Sequence, residues 1–158
     1  MDAKVPMTPE GHARLREELK QLKEIERPKI SKEIGVARDH GDLSENAEYH
    51  AAKERQGWIE ARIKDIDDKL SRAEVIDPTK LSGNRVAFGA RVKLSNVDTE
   101  EESTYRLLGA DEANLAQGSI SITSPLARAL IGREVGDEVK VQMPAGERVY
   151  EILEVQYR

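Results

Sequence analysis

The sequence predicts an α+β protein: an N-terminal antiparallel coiled-coil helical hairpin, then a small antiparallel-sheet domain carrying one short helix. Three observations predict this. Apolar residues recur at spacings of three and four through residues 15–37 and again through 59–73. The turn-forming pair Gly41-Asp42 lies between those two runs. Beyond Ala73 the apolar period falls to two, with Gly, Asn, Asp and Pro separating short alternating segments.

The first helix announces its start at Thr8-Pro9-Glu10. Thr8 suits the capping position, Pro9 the first helical position, and Glu10 the positive end of the helix dipole. Leu15, Leu19 and Leu22 form its stripe, and Ile30, Ile34 and Ala37 continue it. Pro28 removes one backbone donor, so a kink or a change of register is expected there. The second helix carries Ile59, Ile63, Ile66, Leu70 and Ala73. Facing residues of an antiparallel pair have position numbers with a constant sum. Leu15 with Leu70, Leu19 with Ile66, Leu22 with Ile63, and Ile34 with Ala51 satisfy one such sum. The fold point then falls between Asp42 and Leu43, at the turn chemistry itself. Toward that end the stripe shrinks to Ala37, Ala47, Ala51 and Ala52, which predicts a slim tip. About 30 residues per arm at ~1.5 Å each make a projection of roughly 45 Å.

In the second half, strands are expected over 74–76, 85–88, 91–96, 103–108, 119–122, 138–142 and 147–155. Ser124, Pro125 and Gly132 delimit the short helix. The expected domains are a hairpin over 1–76 with its acidic tip at 39–48, a linker over 77–84 (DPTKLSGN), and a second domain over 85–158.

Composition narrows the function. The 158 residues carry 35% charged and 4% aromatic side chains, with a net charge of −5. Residues 1–80 hold 16 basic and 18 acidic side chains, so no basic domain is hidden in the acidic whole. Tight autonomous DNA binding is disfavoured, and any DNA contact should be weak or indirect. The absence of cysteine excludes disulfides, thiol catalysis and zinc–thiolate sites. No apolar run approaches a membrane span or a leader's core, so a soluble cytoplasmic protein with no membrane partner is expected.

Residues 37–56, ARDHGDLSENAEYHAAKERQ, resemble the hairpin tip of the Gre transcript-cleavage factors. PMTPEGHARLREEL at 6–19 is similar to the start of that family's first helix, and SITSPLARALIGREVGD at 121–137 to its carboxyl-terminal domain. The similarity spans essentially the whole chain, and the acidic charge suits the acidic rather than the basic branch of the family. The resemblance implies a coiled-coil hairpin followed by an FKBP-like domain that docks on bacterial RNA polymerase. It implies a factor that enters the polymerase secondary channel and stimulates the enzyme's own cleavage of backtracked RNA 3′ ends, without being an enzyme itself.

On that resemblance, Asp42 and Glu45 match the family's acidic pair. They would be supplied to the polymerase active site and share a Mg²⁺ ion there, no cofactor being bound by the chain alone. Two-metal phosphodiester hydrolysis needs a second divalent ion, and Mg²⁺ is commonly held by one or two carboxylates plus phosphates and water. Spacing alone reads differently: Asp42-Leu43-Ser44-Glu45 is also a capping box for the second helix. Asp39 and Glu48 crowd the same end, and four acids in ten residues repel one another unless a cation is expected.

Ser44 and Asn46 could orient phosphate or water. Leu43 could wedge against the channel or tuck onto the hairpin end. Tyr49 could stack on an extruded base or pack on its partner helix. Lys53 and Arg55 are candidates for RNA contact, with a solvated face as the commoner fate. His40 lacks an evident orienting partner, and Trp58 suits half-buried packing beside Ile59. Ser124 and Pro125 fall in the stretch resembling the docking region. The expected partners are RNA polymerase and the nascent RNA 3′ end within the complex, the chain itself being a monomer. Three other readings compete: a prolyl isomerase, for which aromatics are few; a dimeric coiled-coil scaffold; and an antagonist paralogue that fills the channel without promoting cleavage.

Overall fold

The computed structural model describes residues 3–42 and 45–157. Two compact units emerge. One holds residues 12–73; the other holds residues 4–11 together with 74 onward.

The first unit is the hairpin. Its leading arm is one continuous helical run made of α1 (Pro9–Gln21), a π-helical turn (Leu22–Glu26) and α2 (Arg27–Arg38). The returning arm is α3 (Ala47–Ser71). Leu15, Leu22, Ile30, Ile34 and Ala37 from the leading arm and Ala52, Ile59, Ile63 and Ile66 from α3 are buried. Ion pairs cross between the arms: Glu18–Arg62, Lys23–Asp67, and Arg27–Glu60.

Pro28 acts through the register change expected of it. Lacking an N–H, proline cannot donate to the carbonyl four residues back. The turn just before it widens, so that the Arg27 N–H donates to the Leu22 carbonyl, five residues back. The inserted residue separates buried Leu22 from buried Ile30 by eight positions and leaves Ile25 exposed. Near the tip Ala52, not Ala51, is the buried alanine.

The second unit has two sheets. Strand β1 (Val5–Met7) pairs with β2 (Ala73–Val75) in a two-stranded ribbon. The main sheet holds β3 (Ala90–Asn96), β4 (Glu102–Leu108), β5 (Ser119–Ser121), β6 (Glu138–Met143) and β7 (Gly146–Tyr157), in the order β5-β4-β3-β7-β6. Helix α4 (Pro125–Leu130) covers one face. Its Leu126, Ala127 and Leu130 join Val92, Leu94, Leu107, Val141 and Ile152 in a single apolar core. A bulge between Lys93 and Leu94 shifts the β3–β7 register.

Two sequence expectations need correction. The sheet is mixed, because β5 runs parallel to β4. The connection between them is a long loop containing a 3₁₀ turn (Leu115–Gln117). Residues 85–88 do not form a strand: Arg85 makes only an isolated bridge to Glu134, and Gly89, at φ +86°, bends the chain into β3. The β1 partner of β2 was not anticipated. Among the described residues no helix is long and apolar enough to cross a membrane.

Buried Glu112 ties residues 4–11 into this unit. Its carboxylate accepts from the Thr8 N–H at 3.1 Å, from the Thr8 hydroxyl, and from the Gly109 N–H at 3.3 Å. Thr8 in turn caps α1 by accepting from the Gly11 N–H at 3.0 Å.

Candidate functional site

The distal end of the hairpin is organised by Asn46. Its side-chain oxygen accepts from the Tyr49 N–H at 2.9 Å, which makes Asn46 the cap of α3. Its amide nitrogen donates to the Ala37 carbonyl at 2.6 Å, which also accepts from the His40 N–H at 3.1 Å at the end of α2. One side chain therefore ties the two helix ends together across the turn.

This arrangement replaces the capping-box reading, because Asn46 rather than Asp42 caps the second helix. Asp42 and Glu45 are exposed, and Asp39 and Glu48 are exposed beside them in the chain. Gly41 supports the turn at φ +112°, a conformation other residues adopt with strain. Leu43 and Ser44 lie outside the described residues.

His40 does have a partner: its Nδ1 lies 3.0 Å from a Glu48 carboxylate oxygen, across the hairpin. Tyr49 is half-buried, with its ring set edgewise to His50 at a centroid distance of 5.6 Å. Lys53 is exposed and bonds Gln56 within its own helix at 3.2 Å. Arg55 reaches across the hairpin to Glu26 at 3.3 Å. An open groove of about 650 Å³ runs along this distal stretch. Val36, Ala37, Ala51 and Ala52 line it together with charged side chains of both signs, among them Lys32, Arg55 and Glu48. Trp58, expected to be half-buried, is 63% exposed. It neighbours Ile59 in the chain but points off the seam, since adjacent helical residues sit about 100° apart.

Further along, the Arg62 guanidinium grips Glu18 with two bonds, at 2.6 and 2.8 Å. That contact holds the Glu18 carboxyl below its ordinary pKa. In the second unit, Ser124 caps α4 by accepting from the Ala127 N–H at 3.2 Å, and Pro125 follows it, exposed. The capping role expected for Ser124 is therefore present.

The tip brings the candidate carboxylates together on one exposed turn and sets Ser124 and Pro125 in the other unit. Among the described residues no group of three or more His, Asp or Glu forms a complete metal cage. Two exposed carboxylates still suit Mg²⁺, which retains water and takes part of its shell from phosphate.

A helical hairpin ending in exposed acids, together with a small sheet-and-helix unit, defines a two-unit α+β protein. Comparison with known proteins defines it further. Residues 5–75 match the family described as "Transcription elongation factor, N-terminal", and residues 81–157 match "Transcription elongation factor, GreA/GreB, C-term". A protein of Hyphomonas neptunium named "Transcription elongation factor GreA" is 61% identical, over 98% of this chain and 99% of that relative. One of the same name from Phenylobacterium zucineum is 58% identical, over 98% of each. The crystal structure of GreA factor homolog 1 (Gfh1) of Thermus thermophilus is 28% identical, over 97% of this chain and 99% of that one, with a TM-score of 0.44. The chain belongs to the GreA/GreB family of transcription elongation factors.

Proposed function

We propose that this elongation factor binds bacterial RNA polymerase through the secondary channel and stimulates the polymerase's own cleavage of backtracked RNA 3′ ends. In this reading the chain is not itself an enzyme. It acts as a monomer in the cytoplasm, touches the nascent RNA 3′ end only within the complex, and contacts DNA weakly or indirectly. The antagonist alternative is not favoured, since relatives at about 60% identity carry the GreA name.

One observation carries the proposal: Asp42 and Glu45 stand exposed at the hairpin tip while Asn46 does the capping. The cap of α3 is supplied by Asn46, and both acids remain open to solvent. Asp42 and Glu45 would hold a Mg²⁺ jointly with polymerase groups, and that ion would supply charge neutralisation and an activated water. The chain's own contribution is positional. The hairpin carries the carboxylates, and the Asn46 bridge limits their freedom, which lowers the entropic cost of placing them. Lys53 and Arg55 are the candidates for guiding RNA phosphates, Tyr49 for contact with an extruded base, and Ser124 and Pro125 for docking on the polymerase.

The test is a stalled, backtracked elongation complex with Mg²⁺, to which the purified chain is added. RNA shortening is expected with polymerase present, and none with the chain and RNA alone. Asp42→Asn and Glu45→Gln should each reduce stimulated cleavage by roughly tenfold or more while leaving polymerase affinity within about twofold, because catalytic positioning is separate from docking. Normal cleavage by both variants rules out the metal role. Loss of binding by both instead assigns these residues to hairpin integrity.

A further inference from the structure

The face of the main sheet opposite α4 carries a second group of charges, independent of the hairpin tip. Arg91 on β3 stands directly across from Arg106 on β4, and on its other side from Gln156 on β7. Lys93 stands between Thr104 and Glu154. Like charges directly opposite on adjacent strands destabilise a sheet, and their β-carbons are only about 4.5–5.5 Å apart. A pair of facing arginines is therefore an arrangement that needs a counter-charge.

The nearby carboxylates do not provide it. Glu102 pairs with Lys93 at 3.2 Å, and Glu154 accepts from the Gln156 amide. Among the described residues neither Arg91 nor Arg106 has an ion pair, and the Nε–H of each is buried with no acceptor. Buried donors are nearly always satisfied, so two orphans on facing side chains form one question with one answer. Arg91, Lys93, Thr104, Glu154 and Gln156 line a cavity of about 210 Å³ on this face.

We propose that this cavity is an anion site that takes a dianionic phosphate group, free or at the end of a small phosphate monoester. Guanidinium forks match phosphate oxygens: Arg91 lines the cavity, and Arg106, directly across from it on β4, supplies the second positive charge from beside the lining. A single carboxylate would leave one arginine uncompensated. The volume lies below the ~300 Å³ at which drug-sized pockets begin, so it has room for the phosphate group while any organic portion projects outward. Glu154 lines the same cavity and repels any anion there, so it lowers the affinity.

The test uses the full chain at constant ionic strength. Arginine side-chain Nε–Hε resonances are followed by NMR during titration with sodium phosphate, adenosine 5′-monophosphate, or sodium chloride. A fourth titrant is a single-stranded oligonucleotide without terminal phosphate. Saturable shifts at Arg91 and Arg106 are expected with phosphate and with the monoester, but not with chloride. Arg91→Gln and Arg106→Gln should each weaken binding at least tenfold, and Glu154→Gln should strengthen it severalfold. Backbone spectra verify that each variant is folded; should either glutamine variant fail, Arg91→Lys, which keeps the charge without the fork, must still weaken binding. The proposal is overturned if phosphate acts only as chloride does, if folded Arg91→Gln binds as tightly as the parent, or if the oligonucleotide alone binds.

Discussion

Asn46 uses both ends of its amide, accepting from α3 and donating to α2. Removing it should cost about 1 kcal/mol for the cap and roughly another 1 for the lost donor. Asn46→Ala should therefore lower stability by about 2 kcal/mol in urea denaturation, whereas Asn46→Asp, which keeps the acceptor, should lose about half of that. Glu112 is the other residue with several partners. Glu112→Ala leaves the Thr8 and Gly109 N–H groups without their acceptor, which should cost on the order of 3 kcal/mol. Gly11 reports on the same place. A β-carbon there would overlap the Glu112 carboxylate, so Gly11→Ala should destabilise despite alanine's higher helix propensity. A Gly11→Ala chain that melts at or above the parent temperature shows that Glu112 can turn aside.

At the scale of elements, the leading arm depends on Pro28 and the widened turn before it. Pro28→Ala restores an N–H donor, yet the seam already runs with eight positions between Leu22 and Ile30, so the π turn should persist through packing. The ion pairs between the arms add a pH dependence. Glu18 has a folded-state pKa depressed chiefly by its hydrogen bond from Arg62. A depressed carboxylate contributes stability above its unfolded value and loses it as the pH falls through the folded one. The hairpin should weaken on acidification from the ordinary glutamate range downward, and Glu18→Gln should flatten that part of the profile in circular dichroism. The pair is partly exposed, so its contribution is roughly 0.2–1 kcal/mol and shrinks in high salt.

At the scale of the whole molecule, two units share one chain unequally, because residues 4–11 belong with the sheet unit and not with the hairpin that follows them. Truncating the first eleven residues should therefore lower the melting temperature of the sheet unit as well as shorten α1. The hairpin, its turn at Gly41-Asp42, the start of α1 at Thr8 and the cap at Ser124 were legible in the sequence, because each depends on residues close in the chain or on a period that one helix imposes. The acidic tip residues were legible too, as a motif and as an excess of carboxylates. Which residue capped α3 was not, since Asp42 and Asn46 are both good caps and only the length of the turn decides between them. The parallel β5, the β1–β2 ribbon, the Thr8–Glu112 contact and the facing arginines were also out of reach. Each joins residues distant in sequence, and strand order and register arise from burying a common core that no local pattern encodes. Sequence alone determined the two kinds of architecture and the acidic character of the tip; only tertiary structure decided which polar groups would meet, because that depends on where the packed elements bring the backbone.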